Sequence, residues 1–365
     1  MSISMIQSVE RISFALRSLY RSYGYAPYKM NKFESYDLYL RNKEFLLSDR
    51  ILTFTDIDGK LMALKPDVTL SIIKNFRQED APVQKVFYQE SVYRPGNQGF
   101  REIMQIGLEC IGAADDYCTC EVVVLAAKSL AAIASSSILT VSHLGLLSRL
   151  LERSGANGAL RQQLLEAVGQ KNAHEIANLC AQAQIDPEPF RQIATLYGQA
   201  AQVLPRLEAL FGDCPELMQL KQLLDALEAA GCAEQVRLDL SLISDMNYYN
   251  GIVFRGFVEG IPTGVLTGGQ YDGLMEKMGR KAKAVGFALY PELLALLQQP
   301  DKAPDTDAVL LYTAQDTPAA VSRGVQSLTN LGLRVMALTQ LPEKLTYTRL
   351  YRLKENEVSE VEANA

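Results

Sequence analysis

Asp67 and Thr69 stand two residues apart in Leu64-Lys65-Pro66-Asp67-Val68-Thr69. A free amino acid needs a carboxylate for its ammonium group, and Asp67 with Thr69 at a strand end can supply one. Imidazole offers one donor and one acceptor when neutral and two donors when charged. An acidic group with a tyrosine hydroxyl can meet either form, and Glu109 with Tyr249, beside Tyr248, has that chemistry. Gln105 lies four residues before Glu109, so on a strand both project from one face. Tyr271 follows the pair Gly268-Gly269, whose missing side chains let a backbone pass close to a ligand or another segment.

Each of these has a plainer reading when taken alone. Glu109 is then a solvated or paired carboxylate, the two tyrosines are strand packing, and the glycines mark a bulge or a close strand crossing. Other chemistries have less support. The chain has six cysteines and two histidines, His143 and His174. Cys118 and Cys120 form a C-x-C with no second pair at metal-binding spacing, so unpaired thiols are expected, with no metal and no cofactor. Two histidines leave little room for Ser-His or Cys-His nucleophilic catalysis.

The elements that must position these residues follow from composition and period. At 365 residues the chain can form two or three domains. Its 48% apolar and 21% charged residues are ordinary for a globular protein. A net charge of −6 leaves no electrostatic footprint for nucleic acid. No 18-residue apolar run occurs, so no membrane span is expected. The first residues read as an amphipathic helix (Ile6, Val9, Ile12, Leu16, Leu19) and not as a signal peptide, which predicts a cytoplasmic protein.

Strands are expected at 51–59 and 61–66, flanking an Asp58-Gly59 turn, and at 83–91, with a helix from Val122. Residues 145–235 turn to Ala, Leu and Gln at helical spacing and read as a separate helical insertion. Strand chemistry returns at 236–243 (Val-Arg-Leu-Asp-Leu-Ser-Leu-Ile), whose alternation predicts a half-buried antiparallel strand. It continues through Gly251–Gly260 and Gly264–Gly269. A polar, proline-bearing linker covers 298–306, followed by a β-α-β unit within 307–365 and an acidic tail from Lys354 expected to fray. Residues 1–144 and 236–297 would form the core, and the class is α+β.

Four segments in order resemble the catalytic core of class II histidyl-tRNA synthetase. They are 64–69, Ser91–Gly112, 244–254 (Ser-Asp-Met-Asn-Tyr-Tyr-Asn-Gly-Ile-Val-Phe), and Thr267–Leu274 with Val285–Leu297. The resemblance covers most of residues 1–297 and implies an antiparallel sheet flanked by helices. It makes Asp67, Thr69, Gln105, Glu109, Tyr248, Tyr249 and Tyr271 the histidine pocket, with Gly268 and Gly269 as its backbone.

Departures from the pattern bear on activity. Amino-acid activation needs fixed positive charge on the nucleotide phosphate, which arginine supplies best. Ser244 and Leu293 stand where the family pattern has arginines, and Pro95-Gly96 replaces an expected glutamate. Arg94 and Arg101 remain as candidate anion-binding residues. The C-terminal unit resembles only the opening of an anticodon-binding domain, so no tRNA is expected.

A synthetase fold with a kept histidine pocket and dismantled activation is similar to the regulatory subunit family of ATP phosphoribosyltransferase. That resemblance implies a non-catalytic homodimer within a hetero-oligomer, partnered by a short-form catalytic subunit, with histidine as ligand and possible feedback agent. Asn31, where the family's first motif has a proline, departs from the segment that builds the dimer. The rivals are an active adenylate-forming ligase on this fold and a stand-alone histidine-sensing module with another partner.

Overall fold

The computed structural model describes residues 3–363 apart from 44–45, 47–49, 77–81, 97–98, 244–247, 298–303 and 356. It divides into two compact units, Met1–Leu297 and Gln298–Ala365. In the first, α1 (Ile3–Ser22) leads to β1 (Ala26–Pro27), β2 (Phe33–Ser35) and α2 (Tyr36–Arg41). A hairpin of β3 (Thr53–Thr55) and β4 (Leu61–Leu64) follows, turning at Gly59 with φ +76°. That left-handed position is why the Asp-Gly signal marks a turn. Next come α3 (Thr69–Asn75), β5 (Val83–Gly96), β6 (Gly99–Gly112), α4 (Asp116–Ile133) and β7 (Ser137–His143).

Five helices then run in sequence before a sixth: α5 (Leu144–Arg153), α6 (Gly158–Gly169), α7 (Ala173–Ala183), α8 (Glu188–Thr195) and, after the short β8 (Tyr197–Gly198), α9 (Ala200–Phe211). The sixth, α10 (Pro215–Ala229), opens on a proline at its first turn, where no backbone donor is lost. The first unit closes with β9 (Val236–Asp239), β10 (Ile252–Val258), β11 (Leu266–Gln270), α11 (Asp272–Lys277), β12 (Lys283–Leu289) and a 3-10 turn over Pro291–Leu297.

Nine of these strands form one sheet in the order β1-β5-β6-β12-β11-β10-β7-β9-β8. Its centre is antiparallel: β5 and β6 pair along their full length, from Val83 opposite Gly112 to Gly96 opposite Gly99. The expected α+β architecture, an antiparallel-centred sheet with helices packed on it, is therefore observed. One face of the sheet packs on α4, whose start is capped by Asp115 Oδ1 accepting the Cys118 N–H at 2.9 Å. From Val122 to Ala127 every α4 residue is buried, as expected for a helix that is apolar all round. The other face carries the site.

Three expectations need correction. The strand at Val236 pairs parallel with β7 and antiparallel only with the two-residue β8, because a half-buried alternation fits either neighbour. The helices of 145–235 do not enclose a separate core: Leu164, Leu207 and Leu217 belong to the same buried cluster as Leu108 and Val123. Within them β8 joins the sheet edge.

The second unit has β13 (Thr306–Leu311), α12 (Pro318–Thr329), β14 (Val335–Leu338), β15 (Tyr347–Lys354) and β16 (Glu357–Ala363). They form a sheet in the order β14-β13-β15-β16, extending the expected β-α-β. The third correction is here, since the acidic tail is not frayed. It folds back on β15, with Leu353 opposite Val358, and Val358 packs against the buried Leu310 and Leu353 cluster. One apolar residue facing the core, Val358, secures a strand in which Ser359, Glu360 and Val361 are exposed. The expected linker at 298–306 lies outside the described residues as far as 303.

Candidate functional site

The sheet register builds the site floor. Glu109 on β6 stands opposite Gly286 on β12, which pairs with Gly269 on β11, which pairs with Val253 on β10. Two residues along on the same face lies the row Gly107, Ala288, Thr267 and Arg255. Both rows are poor in bulk, so a depression opens over the middle of the sheet. The cavity there measures about 430 Å³, within the range of sites for small organic ligands.

Glu109 is its deepest ionisable group, with 2% of its surface exposed. Thr69 Oγ1 donates to its Oε1 at 2.9 Å, and the Tyr271 hydroxyl donates to its Oε2 at 2.6 Å. Burial nevertheless dominates and pushes its pKa up to about 8, against the two donors that lower it. The carboxylate leans over Gly286, where a Cβ would lie 1.6 Å from Oε2. Only glycine at 286 leaves room for it.

Asp67 sits where β4 gives way to α3, and its Oδ1 accepts the Leu70 N–H at 2.9 Å. Its side chain keeps 17% exposure toward the cavity, and burial raises its pKa against the pull of Arg94. The segment before it is clamped to β5. Lys65 is fully buried and pairs with Glu90 at 2.6 Å, and its carbonyl accepts the Tyr93 N–H at 2.9 Å. Arg94 Nε donates to Pro66 O at 2.9 Å, and its Nη2 stands 3.9 Å from Asp67.

Tyr248, Tyr249 and Tyr271 form an aromatic wall: ring centroids lie 4.7 Å apart for the first two and 5.9 Å for Tyr248 and Tyr271. Burial raises all three hydroxyl pKa values, so they act as neutral hydrogen-bonding groups. Gln105 is buried and its Nε2 donates to the Tyr290 hydroxyl at 3.4 Å.

The seven residues expected to bind histidine thus line one cavity. Gly268 and Gly269 do not line it. A Cβ on Gly268 would meet Gly286 O at 2.4 Å and Phe254 Cζ at 2.6 Å, and one on Gly269 would meet Ile252 O and Tyr249 Cδ1, both at 2.8 Å. Their bareness serves close strand crossing and the seating of the Tyr249 ring. Arg101, expected beside Arg94 as an anion-binding residue, is exposed on the hairpin and lies over Gly96, outside the cavity lining. Leu293 packs against the main core, and Glu292 Oε1 accepts the Met104 N–H at 3.3 Å. Ser244 falls outside the described residues.

Sequence reading missed Tyr88, Gly286, Tyr290, Thr267 and Arg255, which also line the cavity. Gly286 was findable in principle, as a glycine in an otherwise apolar strand marks a close approach. Among the described residues no group of three metal-ligating side chains converges, and no helix is long and apolar enough to cross a membrane.

Comparison with known proteins adds a family. A model described as histidyl-tRNA synthetase matches residues 4–294. An ATP phosphoribosyltransferase regulatory subunit from Caldanaerobacter subterraneus subsp. tengcongensis is 31% identical over 300 residues, covering 78% of this chain and 77% of that protein. A Bacillus halodurans structure described as an ATP phosphoribosyltransferase regulatory subunit/histidyl-tRNA synthetase has a TM-score of 0.82 at 21% identity, covering 95% of this chain and 94% of that one. A chain of the ATP phosphoribosyl transferase complex from Thermotoga maritima has a TM-score of 0.63 at 20% identity, covering 80% and 98%.

Proposed function

The chain belongs to the histidyl-tRNA synthetase-like family of ATP phosphoribosyltransferase regulatory subunits, and from that premise we propose that it is a non-catalytic partner of a phosphoribosyltransferase chain and binds free histidine. The observation that carries the histidine reading is Glu109 at the cavity floor. Two donors, Thr69 and Tyr271, occupy one lone pair on each of its oxygens. Once a bound imidazole takes up its proton, the Glu109 carboxylate has about four acceptor sites, so two remain for the imidazole N–H. Asp67 and Gln105 face the same space and suit an ammonium group.

Leu293 supports the non-catalytic half of the reading. An aliphatic side chain packed into the core gives a nucleotide phosphate nothing to bind. Arg94, a cation in the cavity, is already held by Pro66 and Asp67. The names of the relatives support an ATP phosphoribosyltransferase catalytic subunit as partner, and a short form of it is our reading. The histidine cavity suits feedback sensing, because histidine is the end product of the histidine biosynthesis that an ATP phosphoribosyltransferase begins, and it would occupy a subunit that does no chemistry.

Two assays on the pure full chain test this. Histidine-dependent ATP–pyrophosphate exchange should stay at background; heat-labile exchange would favour the active-ligase reading. Co-elution with a short catalytic subunit from the same genome should occur, and separate elution at micromolar concentration would favour a stand-alone histidine module.

A further inference from the structure

The cavity has carboxylates at one end and an unclaimed cation at the other. Arg255 projects from β10 in the row shared with Thr267 and Ala288. Its stem lies on Gly264, where a Cβ would meet Arg255 Cγ and Cδ at 2.7 Å each, so the bare backbone there makes room for the stem. Among the described residues no ion pair or hydrogen bond holds it, in contrast to Arg94. A half-buried guanidinium lining a cavity, with no carboxylate partner among the described residues, is costly unless a ligand supplies the anion.

Position favours the same ligand that Glu109 would bind. β6 and β10 are three strands apart in the sheet, and the Arg255 row is two residues along from Glu109. At about 4.8 Å per strand and 3.3 Å per residue, the two backbones stand roughly 16 Å apart. Glu109 leans inward over Gly286, and Arg255 reaches in the opposite sense along the sheet. Both side chains line the same cavity, and Ala288 and Thr267 lie between them on its floor.

Resting on the histidine reading above, we propose that Arg255 is a specificity-determining residue that binds the α-carboxylate of the amino acid. The ligand then lies with its imidazole at Glu109, its ammonium at Asp67 and Gln105, and its carboxylate at Arg255. A planar fork can take both carboxylate oxygens. This requirement selects the free amino acid over amines and alcohols with the same side chain.

The test is calorimetry on the full chain, alone and with its catalytic partner, using histidine and histidinol. Histidinol keeps the ammonium and imidazole and carries a hydroxymethyl group in place of the carboxylate. Wild type should prefer histidine by about ten- to hundredfold, the range of a charge-assisted hydrogen bond. Arg255→Met should lower histidine affinity to the histidinol level and leave histidinol binding unchanged, with Arg255→Lys intermediate. A preference for histidine that survives in Arg255→Met, or wild type binding both equally, overturns the assignment and leaves the histidine site standing. If neither ligand binds wild type in either state, the histidine reading falls and this inference with it. Unfolding curves check each variant, and the preference in wild type alone keeps the test valid should Arg255→Met not fold.

Discussion

Gly286→Ala is the substitution that probes the site floor most sharply. The added Cβ would lie 1.6 Å from Glu109 Oε2 and 2.5 Å from Leu108 O. The carboxylate is the movable neighbour, so it must swing away and give up the 2.6 Å hydrogen bond from Tyr271. Overpacking costs about 1–3 kcal/mol, and a buried donor and acceptor left unpaired cost about 1–3 kcal/mol. The two overlap, so a loss of about 2–5 kcal/mol is expected, with histidine affinity reduced at least tenfold.

Glu109→Ala alone should also destabilise, by unpairing Thr69 and Tyr271 and opening a void. In the double variant the new methyl occupies space that the carboxylate has vacated. The pair should therefore be more stable than the sum of its parts by about 1–3 kcal/mol, less than full relief because the contact with Leu108 O persists. Urea unfolding followed by circular dichroism gives the cycle, and calorimetry gives affinity. A Gly286→Ala midpoint equal to wild type would refute the packing argument. So would additivity of the two substitutions within about 0.5 kcal/mol.

Further outcomes follow from the same contacts. Glu109 titrates at about 8 in the fold against an ordinary 4.5, so its stabilising proton is fully held below 4.5 and is lost as pH rises through 8. Stability should fall across that window by several kcal/mol, and Glu109→Gln should flatten the melting profile between pH 5 and 9. Lys65→Met strands Glu90 beside a buried site and should cost about 3–5 kcal/mol in unfolding free energy; a loss below about 1 kcal/mol would show the ion pair to be dispensable. Deleting residues after Lys354 removes β16 and uncovers Leu353, so limited proteolysis should cut the second unit sooner than in the full chain. Phe33, Phe54 and Leu61 are 47%, 38% and 48% exposed on the small β2-β4-β3 sheet. If the chain dimerises through its first 110 residues, Phe54→Glu should halve the mass seen by light scattering.

Much of the site was legible because polar residues interrupt apolar strands at fixed spacing. Gln105 and Glu109 stand out in Met104–Gly112, and Tyr271 follows two glycines. The glycines themselves were misread, because a bare backbone looks the same in sequence whether a ligand or Phe254 lies against it. Arg255 was invisible for a related reason: in Ile252–Val258 it reads as the solvent face of an alternating strand, and only the register shows that face to be a cavity wall. The parallel partner of Val236–Asp239 depends on β7, a hundred residues earlier in the chain, which no local pattern can report. The C-terminal strand was lost behind its charges, since four acidic residues in Lys354–Ala365 outweigh one valine that faces a core.

The most direct measurement is the phosphoribosylation of ATP by a short catalytic subunit, followed with increasing amounts of this chain and then with added histidine. Activity should appear or rise severalfold as the chain saturates the complex, and histidine should suppress it in wild type but not in Glu109→Ala. A rate that does not change with this chain, at concentrations where the two proteins co-elute, would contradict its role as the regulatory subunit.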